Sequence, residues 1–213
     1  MAASSKNQTS ESASPQVLKV VGIIAAVILL LLLVAVVAGF IGNEEPGNEY
    51  GDPQVSGQLS LMPLDASVDT SAIGETAPTV IGEDFDGNEV RIENDGRAKA
   101  IVLLAHWCPH CQDEVPAVQA WLDSGGGVEG VDMYSISTAM NSSRDNYPPS
   151  EWLNREGWTV PVIRDNSNNS VHTAYGSGGF PFWVFVNSDG TVALRVAGAT
   201  SIENLESIMS ELT

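Results

Sequence analysis

A strand that runs straight into a cysteine pair and then into a helix constrains this chain more than any other feature. Residues 98–105 (AKAIVLLA) are almost continuously apolar, as a central strand covered on both faces should be. They lead into His106-Trp107-Cys108-Pro109-His110-Cys111, after which Val115, Val118 and Leu122 share one face of a helix over 112–122. Such a junction calls for a sheet with helices packed on its faces. The surrounding pattern agrees: short β-rich runs at 80–81, 89–92, 131–137 and 161–164 are interleaved with helical stretches at 150–155 and 171–175. A hairpin over 182–187 and 191–197 turns at Ser188-Asp189-Gly190, and a last helix over 201–212 has Ser201 as its N-cap. Alternation of this kind predicts an α/β fold.

Cys108 and Cys111 are the only cysteines. A disulfide across so short a loop removes little entropy from the unfolded chain. Redox chemistry or metal binding therefore accounts for the pair better than stability does. The position favours redox chemistry. A thiolate at a helix N-terminus faces unpaired backbone N–H groups and the positive end of the helix dipole, which makes Cys108 the nucleophile. Cys111, one turn further in, can attack a mixed disulfide and resolve it. Pro109 falls in the first helical turn, where its missing N–H costs nothing. The rival is a metal site built from Cys108, Cys111, His106 and His110, since thiolates bind soft metals. A four-thiolate zinc site is excluded within one chain, because no second cysteine pair exists.

The hydrophobic content, 43% of the chain, is unevenly spread. From Val20 to Ile41 there are 22 residues without a charge. At about 1.5 Å per residue they span roughly 30 Å of hydrocarbon, and they lack the polar face of a soluble helix. The expected organisation is a disordered cytoplasmic tail over 1–16 and one transmembrane helix over 17–42. A cleaved signal peptide is the competing reading, because Val36-Val37-Ala38 resembles a small-residue cleavage site. Lys6 and Lys19 precede the span, while Glu44, Glu45, Glu49 and Asp52 follow it. The positive-inside rule then places the N-terminus in the cytoplasm and the rest outside, as a single-pass protein of the cell membrane. Residues 43–75 read as an acidic flexible linker, and 76–213 as the folded domain. The formal charge is −18, and 26 of the 27 acids follow residue 43, against seven cations. A field of that sign repels nucleic acid and anionic lipid headgroups and favours solubility.

The motifs, taken in order, resemble the thioredoxin superfamily and within it the TlpA-like, membrane-anchored branch. The resemblance rests on Gly74-Glu75-Thr76-Ala77-Pro78, Ala105-His106-Trp107-Cys108, Cys111-Gln112-Asp113-Glu114-Val115-Pro116 and Tyr175-Gly176-Ser177-Gly178-Gly179-Phe180-Pro181. It implies a thioredoxin-like fold, with a central mixed sheet flanked by helices. It also implies that Pro181 is a cis-proline beside the redox pair, and that the backbone of Phe180 pairs with an extended substrate strand. Trp107 would shield Cys108. Glu114, on the helix face of Cys111, would move the proton at the second cysteine.

The chain departs from the family pattern in places. Val102 stands where thioredoxins bury an aspartate, and His106 precedes the tryptophan where small residues are common. The Pro109-His110 dipeptide resembles that of the oxidising DsbA-like proteins rather than the Gly-Pro of reducing thioredoxins. A protonated His110 would place positive charge beside Cys108, stabilise the reduced form and make the disulfide a stronger oxidant. The expected function is exchange of disulfides with exported protein thiols or disulfides. Oxidation is favoured over the reductive alternative, such as service to cytochrome c maturation. Trp107, Pro109, His110, Glu114 and His106 are expected to tune the site. A membrane or extracytoplasmic redox partner is implied, and no cofactor beyond the redox-active Cys108–Cys111 disulfide. Asn141-Ser142-Ser143 and Asn168-Asn169-Ser170 are glycosylation sequons that read as turns or caps. His172 reads as a surface or satisfied helix residue.

Overall fold

A computed structural model describes residues 49–213 apart from Leu64, together with Ile28 and Leu29. The tail expected over 1–16 lies outside these residues, as does the transmembrane helix over 17–42 but for those two positions. Among the described residues no helix is long and apolar enough to cross a membrane. The strands are β1 (Gln54–Ser56), β2 (Val68–Asp69), β3 (Thr79–Glu83), β4 (Glu89–Ile92), β5 (Ala98–Leu104), β6 (Val131–Ser137), β7 (Val162–Arg164), β8 (Phe182–Val186) and β9 (Val192–Ala197). The helices are α1 (Pro109–Asp123), α2 (Pro149–Arg155), α3 (Ser170–Ala174) and α4 (Ile202–Ser210).

Six strands form a mixed sheet in the order β2-β9-β8-β5-β6-β7, and β1-β3-β4 form a smaller one. β5 runs parallel to β6 and antiparallel to β8. All seven of its residues are buried, and its side chains alternate between two cores as strand geometry demands. Ala100, Val102 and Leu104 pack with Val115 and Val118 of α1 and Leu205 and Met209 of α4. Ile101 and Leu103 enter the opposite core, with Val80, Ile92, Val171 and Tyr175. A fully buried aliphatic side chain contributes about 1.5–3 kcal/mol relative to exposure, which makes β5 the strand the domain is built around. α4 starts as its sequence predicts, the Ser201 hydroxyl accepting from the Asn204 N–H at 3.2 Å.

The stretch 43–75 departs from expectation. From residue 49 onward it belongs to the folded unit rather than tethering it, so the domain begins well before Thr76. β1 pairs antiparallel with β3, and β2 with β9. Leu59 and Met62 are buried in the core beneath β5, and their N–H groups donate to the carbonyls of Ala174 and Gly176. Glu49 accepts from both the N–H and the hydroxyl of Ser150, at 3.0 and 2.8 Å, in the first turn of α2. Asp69 forms a buried ion pair with Arg195, whose guanidinium also donates to the carbonyls of Ser60 and Tyr175. Two glycines make this strap possible. A Cβ on Gly51 would stand 2.4 Å from the Arg164 carbonyl oxygen, and one on Gly176, at φ +64°, would stand 2.2 Å from that of Ser60. The polar composition concealed the strap because most of its attachment is backbone pairing, with few apolar anchors.

Candidate active site

α1 opens at Pro109 with Cys108 as its N-cap, in extended conformation and with no side-chain cap. The sulfur thus belongs to the residue at the positive end of the helix, and the missing donor of Pro109 removes one that would stay unpaired. The Cys108 thiol donates to the Phe180 carbonyl at 3.4 Å. The Phe180–Pro181 peptide bond is cis, and the Pro181 carbonyl accepts from the Gly198 N–H at 2.8 Å, which fastens this loop to the end of β9. Both thiols are free, but they are not equivalent: Cys108 keeps 7% of its surface and Cys111 none. Burial pushes the Cys111 thiol up strongly, and the adjoining Cys108 sulfur adds to the effect.

Glu114 is 5% exposed, so it is a core residue and not a solvated helix-face carboxylate. Its Oε1 accepts from the Trp183 indole N–H at 2.8 Å and from the Thr200 N–H at 3.3 Å, while Oε2 is buried without a hydrogen-bond partner. Desolvation raises it to about 7, against the lowering effect of those two bonds. The register explains the arrangement. Trp183 on β8 lies opposite Val102 on β5, so the strand position left apolar by Val102 is flanked by an indole. That indole holds the carboxylate supplied by α1. Trp183 carries no motif signal; its place two residues after the cis-proline is the only sequence clue to it.

Trp107 is half-buried, and its indole donates to the Ala139 carbonyl at 2.7 Å. Its ring meets Phe180 edge-on, at 6.0 Å between centroids, and Arg144 lies over it at 5.0 Å. His172 also meets Phe180, ring to ring at 5.2 Å, which places it at the site rather than on an unrelated surface. Burial lowers its pKa. His106 differs from expectation. It is buried, Nδ1 donating to the Asp145 carbonyl at 2.7 Å and Nε2 accepting from the Asn141 N–H at 3.1 Å. With desolvation lowering its pKa as well, it is a neutral bolt on the loop after β6, and it acts on the site through position rather than charge. Both of its nitrogens being engaged, it is not available as the metal donor that the rival reading required. Among the described residues no three His, Cys, Asp or Glu side chains gather as a metal site. His110 is exposed in the first turn of α1. The sequons fall at local structure: Asn141 accepts from the N–H and hydroxyl of Ser143, and Ser170 is the first residue of α3.

Residues 73–195 match the family model described as the AhpC/TSA family. Among curated relatives, the thiol–disulfide oxidoreductase ResA of Geobacillus kaustophilus is 28% identical over 137 residues, covering 63% of this chain and 75% of that protein. Two solved structures are similar in fold. MTB DsbF, in mixed oxidised and reduced forms, superposes with a TM-score of 0.51 at 26% identity, covering 62% of this chain and 94% of that one. A DsbF homologue from Corynebacterium diphtheriae reaches 0.57 at 14% identity, covering 73% of this chain and 100% of that one.

Proposed function

The chain belongs to the AhpC/TSA family, and from that premise we propose that it is a thiol–disulfide oxidoreductase that exchanges disulfides with protein substrates through Cys108 and Cys111. The observation that carries this reading is the Cys108 sulfur at the N-cap of α1 against the cis-Pro181 loop, with Cys111 fully buried one turn behind it. In the reductive direction, the Cys108 thiolate attacks one sulfur of a partner disulfide; that S–S bond breaks and the first partner thiolate leaves. Cys111 then gives its proton to Glu114 and attacks Cys108, expelling the second partner thiolate as the Cys108–Cys111 disulfide forms. Oxidation of a partner dithiol is the same sequence in reverse. A group near neutrality serves such a transfer in both directions, since it can hold or release the proton at physiological pH.

The physiological direction we propose is oxidation, on the Pro109-His110 dipeptide. The reduction potential of the protein tests it. On the scale set by DsbA at about −120 mV and thioredoxin at about −270 mV, a value towards the former supports a donor of disulfides. One near the latter overturns that direction in favour of a reductant and leaves the exchange chemistry standing. The substrates we propose are exported proteins, on the strength of the uncharged run over 20–41 as a membrane anchor. The full-length protein is then expected to stay with membranes through alkaline extraction, with residues beyond 43 open to external protease. A soluble mature form starting near Gly39 would rule the anchor out.

A further inference from the structure

We propose that Arg144 is a docking contact for a carboxylate on the partner polypeptide, beside the partner sulfur that Cys108 attacks. The inference rests on the exchange reading above and adds a substrate preference to it.

Seven cations fall among the described residues. Arg91, Arg97, Lys99, Arg155, Arg164 and Arg195 each stand within ion-pair distance of a carboxylate. Arg144 is the seventh. It is exposed, forms no ion pair among the described residues, and none of its guanidinium N–H groups donates within the domain. In a chain of net charge −18, with acids in large excess, an unpaired arginine is the exception, and this one is at the redox site.

Its setting gives it a defined direction. The guanidinium lies over the Trp107 ring, and that ring is held by the Ala139 carbonyl and by the edge of Phe180. The loop beneath is fastened by His106, which bonds Asp145 and Asn141 on either side of Arg144. The ring contact engages the charge of the guanidinium and uses none of its N–H groups, which can take a carboxylate in two parallel hydrogen bonds. Phe180, whose carbonyl meets Cys108, lies against the same tryptophan. A strand laid along Phe180 therefore passes next to Arg144. The wider field repels acidic partners, and the exposed Asp145, next in the chain, keeps the immediate surface from being broadly positive. The contact thus selects one acidic residue near the reacting cysteine, not an acidic protein at large.

The test uses the full chain and a peptide series in which one cysteine is disulfide-bonded to a chromogenic thiol. Each flanking position in turn carries Glu, Gln or Lys. At one flank Glu is expected to exceed Gln in kcat/KM by about three- to fivefold, the scale of an exposed ion pair. Salt should shrink the ratio, Arg144→Gln should bring it to about one, and Arg144→Lys should restore part of it. A Glu-to-Gln ratio unchanged in Arg144→Gln, or a shifted reduction potential with the ratio preserved, overturns the docking role. Failure of every peptide to react, Gln peptides included, instead overturns the exchange reading beneath it.

Discussion

Cys108→Ser is expected to abolish exchange without leaving any covalent adduct, while Cys111→Ser accumulates mixed disulfides between Cys108 and its partners. The asymmetry follows from access. Cys108 sits at the helix N-cap with its sulfur against the Phe180 carbonyl and part of its surface open. Cys111 has no exposed surface, and burial holds its thiol in the protonated form. A partner sulfur can reach the first and not the second. The second comes into play only when a mixed disulfide already lies within its reach, and removing it blocks resolution. Non-reducing gels and mass spectrometry read the adducts directly. Alkylation of the reduced protein at pH 5 is a second measure, and faster labelling of Cys111 than of Cys108 would reverse the assignment.

Glu114→Gln should slow the resolution step by about a hundredfold at pH 8, the lower end of what a positioned acid or base supplies. Glutamine keeps an acceptor for the Trp183 indole, so the packing is retained and only the titratable group is lost. In the native protein the carboxyl is neutral below about 7 and ionised above it. Resolution should therefore accelerate as pH rises through 7, because only the carboxylate accepts the Cys111 proton. In the variant that rise should move to higher pH, where the buried thiol ionises by itself. Single-turnover decay of a preformed mixed disulfide measures both profiles, and coincident profiles would remove Glu114 from the proton path.

The same group makes a separate statement about stability. A carboxyl raised in the folded state to about 7, from an ordinary 4.5, favours folding fully only while it is protonated in both states. That contribution is lost as pH climbs from about 4.5 to 7, and amounts to about 3 kcal/mol at 1.4 kcal/mol per pKa unit. Glu114→Gln should accordingly be the more stable protein at pH 8, with the difference closing below pH 4.5. A variant that instead unfolds more easily at pH 8 would mean that the carboxylate is favourably held.

Much of the architecture was legible in the residues. β5 announces itself by an apolar run, α1 by its period, and the β8–β9 hairpin by Ser188-Asp189-Gly190 between two β-rich runs. Each depends on neighbours within a few positions. β1 and β2 were missed because strands of three and two residues have no period to detect. Asp69 and Arg195 carry no local signal of a partner, stand 126 positions apart and meet only when β2 pairs with β9. His106 looked like a group that could tune the site or bind metal beside the cysteines; burial against the loop after β6 left it neutral and fastened.

The residues alone determined the chemistry on offer. A cysteine pair between a buried strand and a helix places one sulfur at the helix start and the other a turn behind, through backbone geometry that needs no distant partner. Only the tertiary structure decided the conditions under which that chemistry runs. Whether Glu114 is a solvated charge or a near-neutral proton carrier depends on how much water it loses. That is set by burial in the folded domain, opposed by the hydrogen bonds of Trp183 and Thr200, brought to it from β8 and from the loop before α4. Whether Arg144 is one more surface cation depends on which carboxylates fold within its reach, and among the described residues none does. Desolvation and charge pairing belong to segments distant in the chain, so they become definite only when the sheet register brings those segments together.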